Sequence, residues 1–188
     1  MLIKRFSWIL AHRHLNDNGL QPRRDEENFD KLYKVRLLLS HLSKRYESIF
    51  RPGKCQEIEE SMIQFKSCSS LKQYMPKTPI KRGYKVWMRC DEGGFECQFK
   101  IYSGKMKDVE KNLGETVAKS LCEKLYGKNH RLYIDNFFFF FSSYELSRFL
   151  EIQSVYCSGT VNLSRISLPK NLAEDKKMKR GEFDYHKL

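Results

Sequence analysis

No Cys-x-x-Cys pair occurs anywhere in the sequence: the six cysteines stand at positions 55, 68, 90, 97, 122 and 157. That spacing excludes a zinc ribbon and a dithiol redox motif, and points to reduced thiols of a cytosolic or nuclear protein. The five histidines, at 12, 14, 41, 130 and 186, form no metal-ligand pattern either. No apolar run approaches the ~20 residues needed to cross a bilayer. The opening Met-Leu-Ile-Lys-Arg-Phe-Ser-Trp-Ile-Leu is too short and too charged for a signal peptide, so no membrane partner is expected. Acid is also scarce. Against 35 Lys and Arg there are 23 Asp and Glu, a net charge of +12, and such a balance favours an anionic partner, most often nucleic acid. What remains, 188 residues with 40% hydrophobic content, suits one globular domain or one domain plus a piece of another.

The N-terminal part reads as helical. Leu2, Phe6, Ile9 and Leu10 recur at three and four residues, marking a short amphipathic helix. A polar loop from Asn16 to Glu27 follows, and then Leu32, Val35, Leu38, Leu39, Leu42, Tyr46 and Phe50 predict a longer helix that stops at Pro52-Gly53. Past Gly53 the period changes. Residues 58–66, 80–91 and 95–102 read as strands, and in the third Phe95, Cys97, Phe99 and Ile101 alternate with polar neighbours. Asp91-Glu-Gly-Gly94 supplies a tight turn, so the second and third strands are expected to form a hairpin.

A helix carrying Leu113, Val117, Leu121 and Leu125 comes next, closed by Gly127 at its C-cap. Then follows the most apolar run of the chain, Leu132-Tyr-Ile-Asp-Asn-Phe-Phe-Phe-Phe-Phe141. Ser142 and Glu145 form a capping box for another helix, and residues 155–161 read as a last strand. Three meandering strands followed by alternating helices and strands predict a mixed α/β fold, a ribonuclease-H-like mixed sheet with flanking helices, preceded by a partial all-helical segment. In that arrangement the first and fourth strands are neighbours.

Asp135 is the single acid in the apolar run. An unpaired buried carboxylate costs several kcal/mol or becomes protonated, so an acid kept at a strand end is a candidate metal ligand. Glu59 and Glu60, in the first strand, are the acids that would share a metal with it. Two plainer readings also fit these residues: Asp135 caps the following helix or pairs with a lysine, and Glu59 is an ordinary edge-strand acid.

Ile58-Glu-Glu-Ser-Met-Ile-Gln-Phe-Lys66, followed by Ser70-Leu-Lys-Gln-Tyr-Met-Pro-Lys-Thr-Pro-Ile-Lys-Arg-Gly-Tyr-Lys-Val-Trp-Met-Arg89, resembles the piggyBac transposase family, including its transposable element-derived members. Tyr133-Ile-Asp-Asn-Phe-Phe138, Cys157-Ser-Gly-Thr-Val161, Leu15-Asn-Asp-Asn18 and Lys31-Leu-Tyr-Lys34 are similar to other motifs of that family, in its order. The resemblance implies a DNA transposase whose catalytic domain is ribonuclease-H-like. There, three aspartates hold two Mg2+ ions about 3.5–4 Å apart to cut and join DNA strands. Asp135 falls on the family's second aspartate and Glu59 on the position of its first. The third lies beyond Leu188 in the family.

By the same resemblance, residues 1–52 are expected to be a partial helical dimerisation and DNA-binding region. Residues 53–165 would be an incomplete catalytic domain, and residues 166–188 a basic tail similar to the start of an insertion domain. DNA is the expected partner, through Lys72, Lys77, Lys81, Arg82, Lys85 and Arg89 with Tyr74 and Trp87 interleaved. A homodimer weakened by truncation is also expected, with no small-molecule substrate. Lys176, Lys177, Lys179 and Arg180 read as a nuclear localisation patch or a solvated cluster, which sets the expected location as nuclear, otherwise cytoplasmic.

Three departures from the family pattern stand out: the glutamate at 59, the absent third acid, and Phe139, Phe140 and Phe141 inserted before Ser142-Ser143. They set the expectation of a truncated, catalytically inactive remnant with residual electrostatic DNA binding. The alternatives are an active Mg-dependent DNA transposase, if the chain is a fragment of a longer product, and a domesticated chromatin or protein-interaction module.

Overall fold

The computed structural model describes residues 2–104, 113–134, 144–159 and 178–184. Two helices come first, α1 (Ile3–Ala11) and α2 (Tyr33–Ile49), with a 3-10 turn at Asn18–Leu20 inside the loop expected between them. The strands and helices that follow are β1 (Cys55–Gln64), β2 (Gln73–Tyr74), β3 (Arg82–Asp91), β4 (Glu96–Ile101), α3 (Leu113–Cys122), β5 (His130–Ile134), α4 (Tyr144–Ile152) and β6 (Val155–Gly159). β1 lies three residues N-terminal of its expected start and ends two residues early. The two-residue β2 had no periodic signal because two residues cannot show a period. The expected capping box at Ser142 lies outside the described residues, as do residues 160 and 161 at the end of the last strand.

The sheet runs β2-β3-β1-β5-β6, with β4 also paired to β3. β1 and β3 are antiparallel, as are β3 and β4. β1 and β5 are parallel, as are β5 and β6. The first strand therefore lies beside the strand that leads to Asp135, in the mixed order expected. The hairpin between β3 and β4 closes as the Asp-Glu-Gly-Gly turn predicts. Oδ1 of Asp91 accepts from the N–H of Gly93 at 3.1 Å and of Phe95 at 2.9 Å, and Gly94 takes the positive φ of 78° that a side chain would resist.

Helices α3 and α4 cover one face of this sheet. On α3, Val117, Ala118, Leu121 and Cys122 fall at one and four residues and are all buried. Leu146 and Leu150 do the same for α4. They close over Ile58, Trp87, Leu132, Ile134 and Val155. Gly127, with φ of 72°, stops the helical segment, and its N–H donates to the carbonyl of Gln153 at 2.8 Å, tying the end of α3 to the end of α4. Helix α2 packs instead on β4. Tyr46 meets Phe95 and Phe99 edge-on at 6.3 and 5.9 Å, and Phe50 lies 4.3 Å from Phe95. α1 is amphipathic as expected, yet none of its residues is buried.

Arg89 is 3% exposed and sits among the core strands. Its Nε donates to the Leu121 carbonyl at 2.7 Å, Nη1 to Oε1 of Gln56, and Nη2 to Oε1 of Gln98 at 3.3 Å. Gln56 in turn reaches the Gly53 carbonyl and Nδ1 of His130. One guanidinium thus joins β1, β3, β4 and α3, and its charge is met by neutral acceptors. Burial lowers the pKa of Arg89 from its usual value. Arg89→Ala leaves those acceptors unmet inside the core and is expected to cost about 2–4 kcal/mol. Lys81→Ala on the exposed rim should stay within about 0.5 kcal/mol. Urea unfolding midpoints of the two variants check this.

Candidate metal and nucleic-acid site

Strand alternation sorts the acids of β1. Ile58 and Met62 are buried, and Glu60 points to their side, its carboxylate side chain 5% exposed. There Oε2 of Glu60 pairs with Nζ of Lys85 at 2.7 Å, and that ammonium lies 5.3 Å from the Trp87 ring and 6.0 Å from the Tyr102 ring. Glu60 therefore does not share a face with Glu59, which corrects the expectation that both could serve one metal. Glu59 and Glu57 point to the opposite side, the latter a residue that sequence reasoning missed. Its signal was available in the period of two: Glu57 is the same-face neighbour of Glu59.

The register of β1 on β5 brings Ile58 beside Ile134, and Glu57 beside Tyr133. A hollow of about 270 Å³ opens at this point, lined by Glu57, Ile58, Glu59, Tyr133, Ile134, Ser158 and Gly159. The chain passes from Ile58 to Glu59 on one strand and from Ile134 to Asp135 on the other. Asp135 itself lies outside the described residues. Burial first, then the nearby Glu59 and Asp91 carboxylates, raise the pKa of Glu57. Among the described residues no group of three His, Cys, Asp or Glu is gathered for a metal ion. The donors around the hollow are carboxylate and hydroxyl oxygens, the ligand type that hard divalent cations take.

Gly159 belongs to this hollow for a steric reason. A Cβ there would run into the carbonyl oxygen of Ile134, so only glycine lets β6 approach the end of β5 this closely. This is the glycine of the Cys157-Ser-Gly segment noted in the sequence.

The basic row divides. Lys77, Lys81 and Arg82 are exposed, and Arg82 lies over the ring of Tyr74 at 5.3 Å, a ring itself 62% exposed. Lys72 is half-buried and donates to the Ser67 carbonyl at 2.8 Å. Lys85 is held by Glu60. Arg89 and Trp87 are core residues, so neither presents itself to DNA, contrary to the expectation for them. The row was read as one patch because it is basic throughout. Yet it crosses a strand, where alternate residues point into the core. In the tail, Lys179 and Arg180 are exposed, while Lys176 and Lys177 lie outside the described residues. β1 runs past Glu59 to Gln64, which pairs with Gly83. At ~3.3 Å per residue, the rim bearing Lys81 and Arg82 is thus roughly 16 Å along the strand from Glu59.

The chain matches the family described as transposase IS4 over residues 1–187. It is 30% identical to human piggyBac transposable element-derived protein 3 over 188 residues, covering 96% of this chain and 30% of that protein. Human piggyBac transposable element-derived protein 2 is 27% identical over 189 residues, 96% of this chain and 31% of that protein. The chain thus spans about a third of the length of these relatives. Among solved structures, a piggyBac transposase synaptic complex with hairpin DNA, seen by electron cryomicroscopy, superposes with a TM-score of 0.82 at 24% identity. The likeness covers 95% of this chain and 37% of that one. It supports the ribonuclease-H-like mixed α/β fold. Transposases of the DDE type generally work with a divalent metal ion. Gly159→Ala should force β6 away from Ile134 and destabilise the chain by about 1–3 kcal/mol. A control such as Gly181→Ala lies outside the sheet and should leave the β5–β6 amides protected, with hydrogen exchange of Leu132 and Cys157 as the readout.

Proposed function

This chain belongs to the transposase IS4 family, and we propose that it keeps the electrostatic DNA binding of a piggyBac-derived cut-and-paste transposase without its catalysis. The observation that carries the reading is the in-register parallel pairing of Ile58 with Ile134, one residue before Glu59 and one residue before Asp135. These are the two residues that would hold Mg2+, with Glu57 lining the same hollow. Magnesium, when bound, activates a water or 3′-hydroxyl nucleophile and stabilises the leaving oxygen.

The chain's own groups support binding better than turnover. Glu59 keeps the charge of an aspartate but carries it one methylene further out, and a displacement on the order of 1 Å at a reacting centre costs about a hundredfold in rate. Lys77, Lys81 and Arg82 provide exposed cations for phosphates, which position DNA without reading its sequence. Lys85 and Arg89 contribute to the fold instead. A second reading, an active transposase of which this chain is one piece, is favoured by the third of its relatives' length that it spans.

Duplex DNA binding should weaken steeply as salt rises, since each cation–phosphate contact releases counterions. Removing Lys77 or Lys81 should each lower the slope of log K against log salt by about one. Fluorescence anisotropy between about 50 and 200 mM salt reads this, and a salt-independent affinity would sink the electrostatic reading. With Mg2+ and DNA bearing terminal inverted repeats, no nicking is expected; strand cleavage abolished by Asp135→Ala would establish the second reading. In titration calorimetry with Mn2+, Glu59→Ala should weaken binding tenfold or more, on the order of the loss seen on removing a metal's supporting group. Glu60→Gln should leave that affinity unchanged.

A further inference from the structure

Beside the carboxylate hollow, the same face of β5 and β6 carries two exposed tyrosines. Arg131 stands beside Tyr156 and Tyr133 beside Ser158 in the parallel register, so all four side chains point one way while Leu132 and Val155 point into the core. Tyr133 is 46% exposed and Tyr156 52%. The N–H of Arg131 donates to the Lys54 carbonyl at 2.8 Å, which fixes Lys54 at the edge of the same surface. Together they line a cleft of about 490 Å³ that has two cations and no carboxylate among its lining residues. Tyr133 and Ser158 line this cleft and the carboxylate hollow alike, so the two adjoin.

We propose that this cleft seats an unpaired DNA strand, its bases stacked on Tyr133 and Tyr156 and its phosphates held by Arg131 and Lys54. The proposal rests on the DNA-binding reading above and adds which form of DNA is held, and where. Aromatic faces interleaved with cations suit a single strand, whose bases offer free π-faces, whereas the bases of a duplex are stacked on one another. Charge complementarity selects against the other occupants. A second copy of this chain, at +12, would bring cations against cations, and a polyanionic strand would not. Beyond Tyr133 the surface turns acidic at Glu57 and Glu59, so a strand laid along the cleft leads its backbone toward the carboxylates. The exposed Lys81 and Arg82 lie further along the same direction of β1.

The test uses the full chain with a fluorescein-labelled oligo(dT) strand of about 16 nucleotides, the upper site size for a compact single-strand groove, and a duplex of equal length. Tyr156→Ala and Tyr133→Ala should each weaken single-strand affinity about 5- to 100-fold. Tyr156→Phe should hold it within about twofold, because stacking needs the ring and not the hydroxyl. Tyr156→Ala should change duplex affinity less than about twofold, which also shows that the variant is folded. Arg131→Ala should lower the single-strand salt slope by about 0.7. Unchanged single-strand affinity in both alanine variants, with duplex binding intact, overturns this inference alone. Wild-type protein that binds neither DNA form overturns it together with the DNA-binding reading. Sedimentation showing a self-associated wild type that Tyr156→Ala makes monomeric assigns the face to protein contact and overturns it as well.

Discussion

Everything in this molecule hangs on one strand, β1, being hydrogen-bonded on both sides at once. It pairs antiparallel with β3 along nine residue pairs from Gln56 to Gln64 and parallel with β5 from Cys55 to Ile58. A strand held on both edges has no freedom to slip, because a shift of one residue would turn Ile58 and Met62 out of the core and Glu57 and Glu59 into it. The placement of Glu57 and Glu59 on the face opposite Ile58 is therefore a consequence of burying Ile58 beneath α3 and α4. The site inherits its geometry from the core.

The buried guanidinium of Arg89 shows what that arrangement costs. A charge 3% exposed and met by amide and carbonyl oxygens carries a desolvation penalty that an ion pair would offset more fully. In exchange it ties β1, β3, β4 and α3 with directional bonds, next to a strand that has to be placed accurately. The half-buried cation Lys85 takes the more usual course, with a carboxylate partner at 2.7 Å and two aromatic rings around it. Two of the basic residues that read as a surface patch thus act within the fold. The exposed positive charge comes from the loop before β3, from Lys77 and Lys81 with Arg82 at the start of the strand, and from Lys54 and Arg131 on the other side of the carboxylates.

The strand order was legible because the elements after Gly53 each carry a strong local signal: alternation in Phe95–Ile101, a three-to-four period in Leu113–Leu125, and glycine or aspartate at the turns. The neighbour relation of the first and fourth strands was legible too, since the order of elements permits few ways to close a mixed sheet. Misreadings arose where one local property stood for an orientation. Glu60 looked equivalent to Glu59 and Arg89 equivalent to Lys81, because charge is written in the sequence and the face a residue occupies is written only as a parity. The apolar stripe of α1 was seen correctly, but a stripe does not name its partner, and its residues are exposed here.

By itself the sequence determined the class of the fold, the family and the basic character of the chain, since composition, period and motif order are local quantities. Only the tertiary structure decided which carboxylates face together, that Arg89 and Trp87 are core residues, that Gly159 is required by contact with the Ile134 carbonyl, and that Tyr133 and Tyr156 share one exposed surface. Each of those depends on the register between strands far apart in the chain, and register is set by the simultaneous burial of Ile58, Leu132, Ile134 and Val155 against α3 and α4. No single segment contains that information.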